Sequence, residues 1–308
     1  MMDFAIIEIT QKCNLNCSHC YLGDKEGASM PIENVEMLLD KLKAIGCKRI
    51  TISGGEPFCE PSIIKKVSEY AKNIGLYVGI VTNGMLFDKV SLELFDCLDY
   101  IQVSVDGLKD THDGIRGKGS FERVTEGIKY LIEKGYRDIT AIQMTVSAIN
   151  QYEFFDVFKM TKELGVKMSV ERVTSVGNAS NYKVINYRQY QEILDCIIDN
   201  NLLSSDPLVN VRKIQRLRIN PRLYPIKGGC SAGKNGIGIT ITGEVLPCIR
   251  IRRSCGNIFS EDIKTIITGK QFTCFGETIS KCIQCDFSNI CGGCKADILS
   301  GETEYCIV

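Results

Sequence analysis

The sequence predicts an α/β protein, a partial (β/α)6 barrel of the TIM-like kind followed by a small cysteine-rich C-terminal domain. Three observations carry this. Six short, apolar, β-branched runs alternate with amphipathic stretches that end in glycine. Three cysteines follow directly on the first of those runs. Nine of the sixteen cysteines crowd the last 79 residues.

The strand-like runs are FAIIEIT (4–10), RITIS (49–53), YVGIVT (77–82), YIQVSV (100–105), ITAIQMTV (139–146) and KMSVERV (167–173). Continuous apolar character of this length suits strands covered on both faces. Between them IENVEMLLDKLKAIG, PSIIKKVSEYAKNIG, SFERVTEGIKYLIEKG and QYEFFDVFKMTKELG repeat apolar residues at helical spacing, each with a terminal glycine placed as a C-cap. LFDKVSLELFDCL supplies a weaker helix. Strand and helix in alternation imply a parallel sheet with right-handed crossovers. Six units over about 200 residues fit an incomplete barrel, and a doubly wound sheet has the same alternation. The expected division is 1–215 for the barrel and 216–308 for the second domain. In either architecture ligands bind at the C-terminal strand ends. There the chain reads Cys13, then GGEP (54–57), TNG (82–84) and SVDG (104–107), which points to one pocket.

Lys plus Arg and Asp plus Glu both number 37, so no basic excess advertises nucleic acid or an anionic membrane. No signal-type segment and no apolar run of spanning length is present, and a cytoplasmic protein is expected. Cysteines in that compartment stay reduced, so sixteen of them are buried hydrophobes or ligands. Cys47, Cys97 and Cys196 lie on helical stretches and read as core filler; Cys59, just after GGEPF, has no assigned ligand role.

Cys13-x3-Cys17-x2-Cys20 offers three thiolates, one short of a closed structural metal site. Three thiolates can hold a four-iron cluster with one iron open to an exogenous ligand. The competing reading is zinc completed by His19 or His112, the only two histidines; soft all-thiolate sets favour iron–sulfur. The glycines of GGEP can be a plain turn, or can let backbone carbonyls approach a ligand.

This cysteine spacing, with Gly54-Gly55-Glu56-Pro57 after the second strand and TNG, SVDG and HDGIRGKGSFE further on, resembles the radical S-adenosylmethionine superfamily. The resemblance implies that the missing ligand is the cofactor: the amino and carboxylate groups of S-adenosylmethionine chelate the fourth iron. It assigns Gly54, Gly55 and Glu56 to the cofactor turn, with Gly54 and Gly55 at the methionine amino group, and puts Asn83 and Ser104 beside the ribose or carboxylate. Arg116 joins them, with a solvated loop charge as the competing reading, and Glu171 is a further candidate. Asp106 reads as the cap of the following turn.

The tail resembles the SPASM extension of radical enzymes, through Cys230, Gly243-x4-Cys248, Cys282-x2-Cys285-x5-Cys291-x2-Cys294 and Cys306. The quartet departs from the familiar spacing in having only Gly292-Gly293 before its last cysteine. The resemblance implies two auxiliary clusters, the outer on Cys282, Cys285, Cys291 and Cys306, the inner on Cys230, Cys248 and Cys294. With the first site this makes three 4Fe-4S clusters. The inner cluster lacks an eighth cysteine; Cys255 is one candidate, and its competing reading is a buried strand residue, which leaves an iron open.

The expected activity is reductive cleavage of S-adenosylmethionine to a 5′-deoxyadenosyl radical that abstracts hydrogen from a peptide or protein side chain, as in maturation by cross-linking, epimerisation or oxidation. Such an oxidoreductase needs a flavodoxin- or ferredoxin-type electron donor. Because the chain starts almost on its first strand, the expectation is a separate leader-peptide recognition protein, or none. The alternatives are a small-molecule dehydrogenase or tetrapyrrole-modifying enzyme, and a non-catalytic cluster- or zinc-binding scaffold.

Overall fold

The computed structural model of the chain describes residues 2–23, 27–223, 229–277 and 282–301. Strand β1 (Phe4–Thr10) is followed by α1 (Val35–Ala44), β2 (Arg49–Gly54), α2 (Pro61–Asn73), β3 (Tyr77–Thr82), the single turn α3 (Glu93–Asp96) and β4 (Tyr100–Ser104). Then come α4 (Lys109–Arg116), α5 (Ser120–Glu133), β5 (Thr140–Val146), α6 (Phe154–Leu164) and β6 (Lys167–Arg172). Helices α7 (Tyr187–Asp199) and α8 (Leu208–Leu217) lead to β7 (Gly236–Ile239), β8 (Val245–Leu246) and the short α9 (Ile263–Thr268), α10 (Lys270–Thr273) and α11 (Lys295–Leu299).

The six expected strands form one parallel sheet in chain order, and it does not close on itself. This is a partial barrel. The sheet also holds two strands the sequence did not announce. β7 adds beside β1 in parallel, and β8 pairs with it antiparallel. The reason is visible in GIGI: two glycines in four residues read as turn chemistry, yet a side chain on Gly236 would strike the Phe4 ring at 2.3 Å and one on Gly238 would meet Ile249 at 2.9 Å. These glycines exist because β7 is crowded where their side chains would stand.

The two faces of the sheet carry different chemistry. Ala5, Ile7 and Ile9 of β1, Ile50 and Ile52 of β2, Val78 and Ile80 of β3, and Ile101 and Val103 of β4 are buried against the helices. The alternate residues face the barrel interior, and many are polar: Ser53, Gln102, Ser104, Gln143, Thr145 and Glu171. Alternation at period two explains how one strand serves core and cavity together. The helices stop where their glycines stand, with Gly75, Gly135 and Gly165 at positive φ of 72°, 92° and 67° after α2, α5 and α6.

Beyond the sheet, a buried ion cluster joins the tail to the barrel. At the end of β6, Arg172 donates from Nε to Asp206 at 2.9 Å and from Nη1 to Asp297 of α11 at 3.3 Å. All three side chains are almost fully buried, so their charges depend on one another. Replacement Asp206→Ala leaves Arg172 partly uncompensated and removes the acceptor of the Leu208 N–H. It is expected to cost about 3–5 kcal/mol in urea unfolding followed by circular dichroism. A loss below about 1 kcal/mol would show that the cluster does not hold the tail.

Candidate functional site

The loop after β1 carries Cys13, Cys17 and Cys20, and neighbouring elements hold it by its backbone. The Ser18 N–H donates to the Ile115 carbonyl at 2.9 Å, the Asn178 N–H to the Cys20 carbonyl at 2.9 Å, and Asn178 Nδ2 to the Cys17 carbonyl at 3.2 Å. The turn after β2 closes the other side: Gly55 N–H reaches the Thr10 carbonyl and Glu56 N–H the Lys12 carbonyl, each at 2.7 Å. A Cβ on Gly54 would lie 2.2 Å from the Thr10 oxygen, and one on Gly55 would lie 2.2 Å from the Lys12 oxygen. The two glycines therefore let the cysteine loop pack on the turn. This reason is structural and stands whether or not a ligand is bound.

All three cysteines line one cavity of about 340 Å³ at the C-terminal strand ends, together with Gly54, Gly55, Asn83, Ser104 and Arg116. Glu56 stands beside the cavity rather than in it. Its buried carboxylate accepts from Phe58 N–H at 3.0 Å, Thr82 Oγ1 at 2.8 Å and Asn83 N–H at 2.7 Å, and burial raises its pKa despite these donors. Glu56 thus fixes the end of β3, and Asn83 is held further by donating from Nδ2 to Asn14 Oδ1 at 2.8 Å. Glu171 also lines the cavity.

Asp106 is not the cap of a turn. Fully buried, it accepts from Arg116 Nε at 2.6 Å, pairs with His19 Nε2 at 2.7 Å and accepts from the Thr145 N–H at 2.9 Å. Burial alone would raise its pKa, but Arg116 and His19 outweigh that and hold the carboxylate well below its usual range. The sequence signal for a turn was sound, since SVDG does end a strand. What it lacked was the partners, which lie 10 and 87 residues away. Arg116 is accordingly no solvated charge: it lies at the end of α4 and directs Nη1 to Cys17 Sγ at 3.9 Å.

The donor set fits an iron–sulfur cluster. A thiol at Cys17 is pushed up by burial, while Arg116 beside it favours the thiolate form that iron requires. His19 Nδ1 is buried and without a hydrogen-bond partner among the described residues. A zinc ion completed by histidine does not fit. His112 accepts the Asp106 N–H at 3.1 Å through Nδ1, and burial lowers its pKa to about 4. His19 is paired with Asp106 through Nε2 and keeps Nδ1, so it is the spacing of the side chains that excludes the ion. Among the described residues no three His, Cys, Asp or Glu side chains converge as one ion needs, whereas a cuboidal cluster keeps its thiolates further apart.

In the tail Cys230 lies within electrostatic reach of both Cys248 and Cys294, and Cys291 within reach of Cys282. Burial pushes Cys291 up to about 11 and Cys294 further. Cys285 is half-buried, its N–H on the Cys282 carbonyl at 3.1 Å, and Cys306 lies outside the described residues. Cys255 is buried outside any strand. Its thiol donates to the Gln271 carbonyl at 3.3 Å, the same oxygen that Cys274 approaches at 3.5 Å, and burial lifts it to about 11.

Comparison with known proteins agrees with this geometry. The pattern of the radical SAM superfamily matches residues 7–153, and that of an iron–sulfur cluster-binding domain, SPASM, matches 230–295. The antilisterial bacteriocin subtilosin biosynthesis protein AlbA of Bacillus subtilis is 30% identical over 94% of this chain, which spans 66% of that protein's length. An AdoMet-dependent heme synthase of Oleidesulfovibrio alaskensis is 27% identical over 94% of this chain and 81% of its own. The crystal structure of Streptococcus suis SuiB bound to the precursor peptide SuiA superposes with a TM-score of 0.79 at 20% identity, covering 99% of this chain and 74% of SuiB, and so shows the same fold.

Two outcomes test the site. Gly54→Ala or Gly55→Ala displaces the Thr10–Lys12 backbone, so purified protein should keep its far-ultraviolet dichroism but hold less iron; full iron content would show the approach to be slack. Asp106→Asn removes the buried negative charge behind Arg116. The reduction potential of a cluster on Cys13, Cys17 and Cys20 should then move to more positive values without loss of iron, as read by redox titration with electron spin resonance. An unmoved potential would show that Asp106 does not set the charge there.

Proposed function

We propose, from the premise that this chain belongs to the radical SAM superfamily and carries a SPASM domain, that it modifies a side chain of a peptide or protein. The observation that carries this reading is the cavity itself, in which the three-cysteine loop and the ends of β2, β3 and β4 open on one space. When bound, a 4Fe-4S cluster and S-adenosylmethionine would supply a 5′-deoxyadenosyl radical there. In this reading Cys13, Cys17 and Cys20 hold the cluster, Gly54 and Gly55 shape the turn against it, and Arg116 presents its guanidinium to the cofactor carboxylate while Asp106 holds its Nε. Asn83 and Ser104 orient the nucleoside end.

The likeness to AlbA and the fold shared with SuiB support a peptide substrate. A low-potential flavodoxin or ferredoxin supplies the electron in the cytoplasm. The likeness to heme synthases, which covers more of the relative's length than that to AlbA, favours a tetrapyrrole as the second reading.

The test is anaerobic reconstitution followed by chromatography for 5′-deoxyadenosine, with and without peptides encoded beside the gene. The wild type should form it, faster with the right peptide, and the Cys13→Ala, Cys17→Ala, Cys20→Ala triple variant should form none. Cleavage retained in the triple variant would refute the reading.

A further inference from the structure

Part of the cavity wall is made by Glu171, Arg172 and Thr174 at the tip of β6, Ser205 before α8, and Ile249 and Arg250 after β8. Its two arginines differ. Arg172 is engaged by Asp206 and Asp297. Arg250 donates from Nη1 to Thr174 Oγ1 at 3.3 Å and forms no ion pair among the described residues. Glu171 attracts it through space without ion-pair contact among the described residues; that carboxylate accepts instead from the Ser205 N–H at 2.8 Å and Ser205 Oγ at 2.7 Å. A guanidinium has five donors in a planar fork, so most of those of Arg250 are left for an occupant of the cavity.

We propose that Arg250, with Thr174 beside it, receives a carboxylate of the substrate and so fixes which part of it reaches the radical. One open guanidinium matches one planar carboxylate through two parallel hydrogen bonds. A phosphate dianion suits the place less, because Arg172 is already neutralised and the charge of Glu171 stands close by. The inference rests on the proposed function, in that the cavity must be where substrate binds. The carboxylate can come from an acidic peptide side chain or from the propionate of a tetrapyrrole.

The test uses the fully reconstituted enzyme with S-adenosylmethionine, in equilibrium dialysis under argon. The probes are an N-acetylated, C-amidated glutamate peptide, its glutamine counterpart, coproporphyrin III and its tetramethyl ester. At least one acid should be retained about tenfold or more above its neutral partner, the difference expected of a charge-assisted pair. Arg250→Met should abolish that preference and Arg250→Lys keep part of it, with iron per chain and retained S-adenosylmethionine unchanged. No preference in the wild type, or a preference that survives Arg250→Met, overturns the proposal. So does loss of iron in Arg250→Met, since Arg250 would then serve the Cys248 and Cys294 thiolates whose charge it also feels. A preference shown by coproporphyrin alone sinks the peptide reading and leaves Arg250 in place. A peptide that is modified without any carboxylate preference does the reverse.

Discussion

The cysteine loop is ordered around one buried carboxylate. Asp106 comes from the end of β4, takes a guanidinium from α4, an imidazole from within the cysteine loop and a backbone N–H from β5. Each of those partners would be costly to bury alone, and together they neutralise one another. The consequence is positional. Arg116 cannot swing to solvent while its Nε is held, so its terminal nitrogens stay between Cys17 and the cavity. A thiolate site with net negative charge needs a cation at that place, and the fold provides one that is fixed before any metal arrives.

The same economy of position governs the turn after β2. Glycine there is usually explained by what it lets a ligand do. Here the backbone of residues 10–12 already fills the space where side chains would stand. Glu56, next in line, turns into the protein and satisfies three donors from its own short helix and the end of β3. A motif that reads as one cofactor-binding unit therefore divides its labour: two residues admit the cysteine loop, and the third anchors the neighbouring strand end.

How much of this was legible follows from the range of each interaction. Strands and helices of the barrel are written in local periodicity, and the terminal glycines mark where α2, α5 and α6 stop. The C-x3-C-x2-C spacing is local too. Asp106 was misread because its partners are remote in sequence and nothing in SVDG names them. β7 escaped because its glycines answer to the Phe4 ring and Ile249, which only the folded chain brings near. Cys255 illustrates the same limit. Its spacing from Cys248 invited a ligand role, yet its thiol shares a carbonyl with Cys274, a residue no motif singles out.

Charge allocation links the barrel to the tail. Arg172 at the end of β6 spans Asp206 and Asp297, so the segment bearing Cys294 is tied to the barrel by ions that lie out of water. Such a tie is rigid in direction, because moving either part separates buried opposite charges. Glu171, Thr174 and Arg250 next to it line the cavity. Of the cations around the cavity, Arg116 is held through Nε by Asp106 beside Cys17, and Arg172 is engaged by Asp206 and Asp297. Arg250 differs in having no ion-pair partner among the described residues, the Glu171 carboxylate being hydrogen-bonded to Ser205. Arg250 thus meets the cavity with one side-chain hydrogen bond, to Thr174, and no ion pair among the described residues, so the other donors of its planar fork are left for something that enters the cavity.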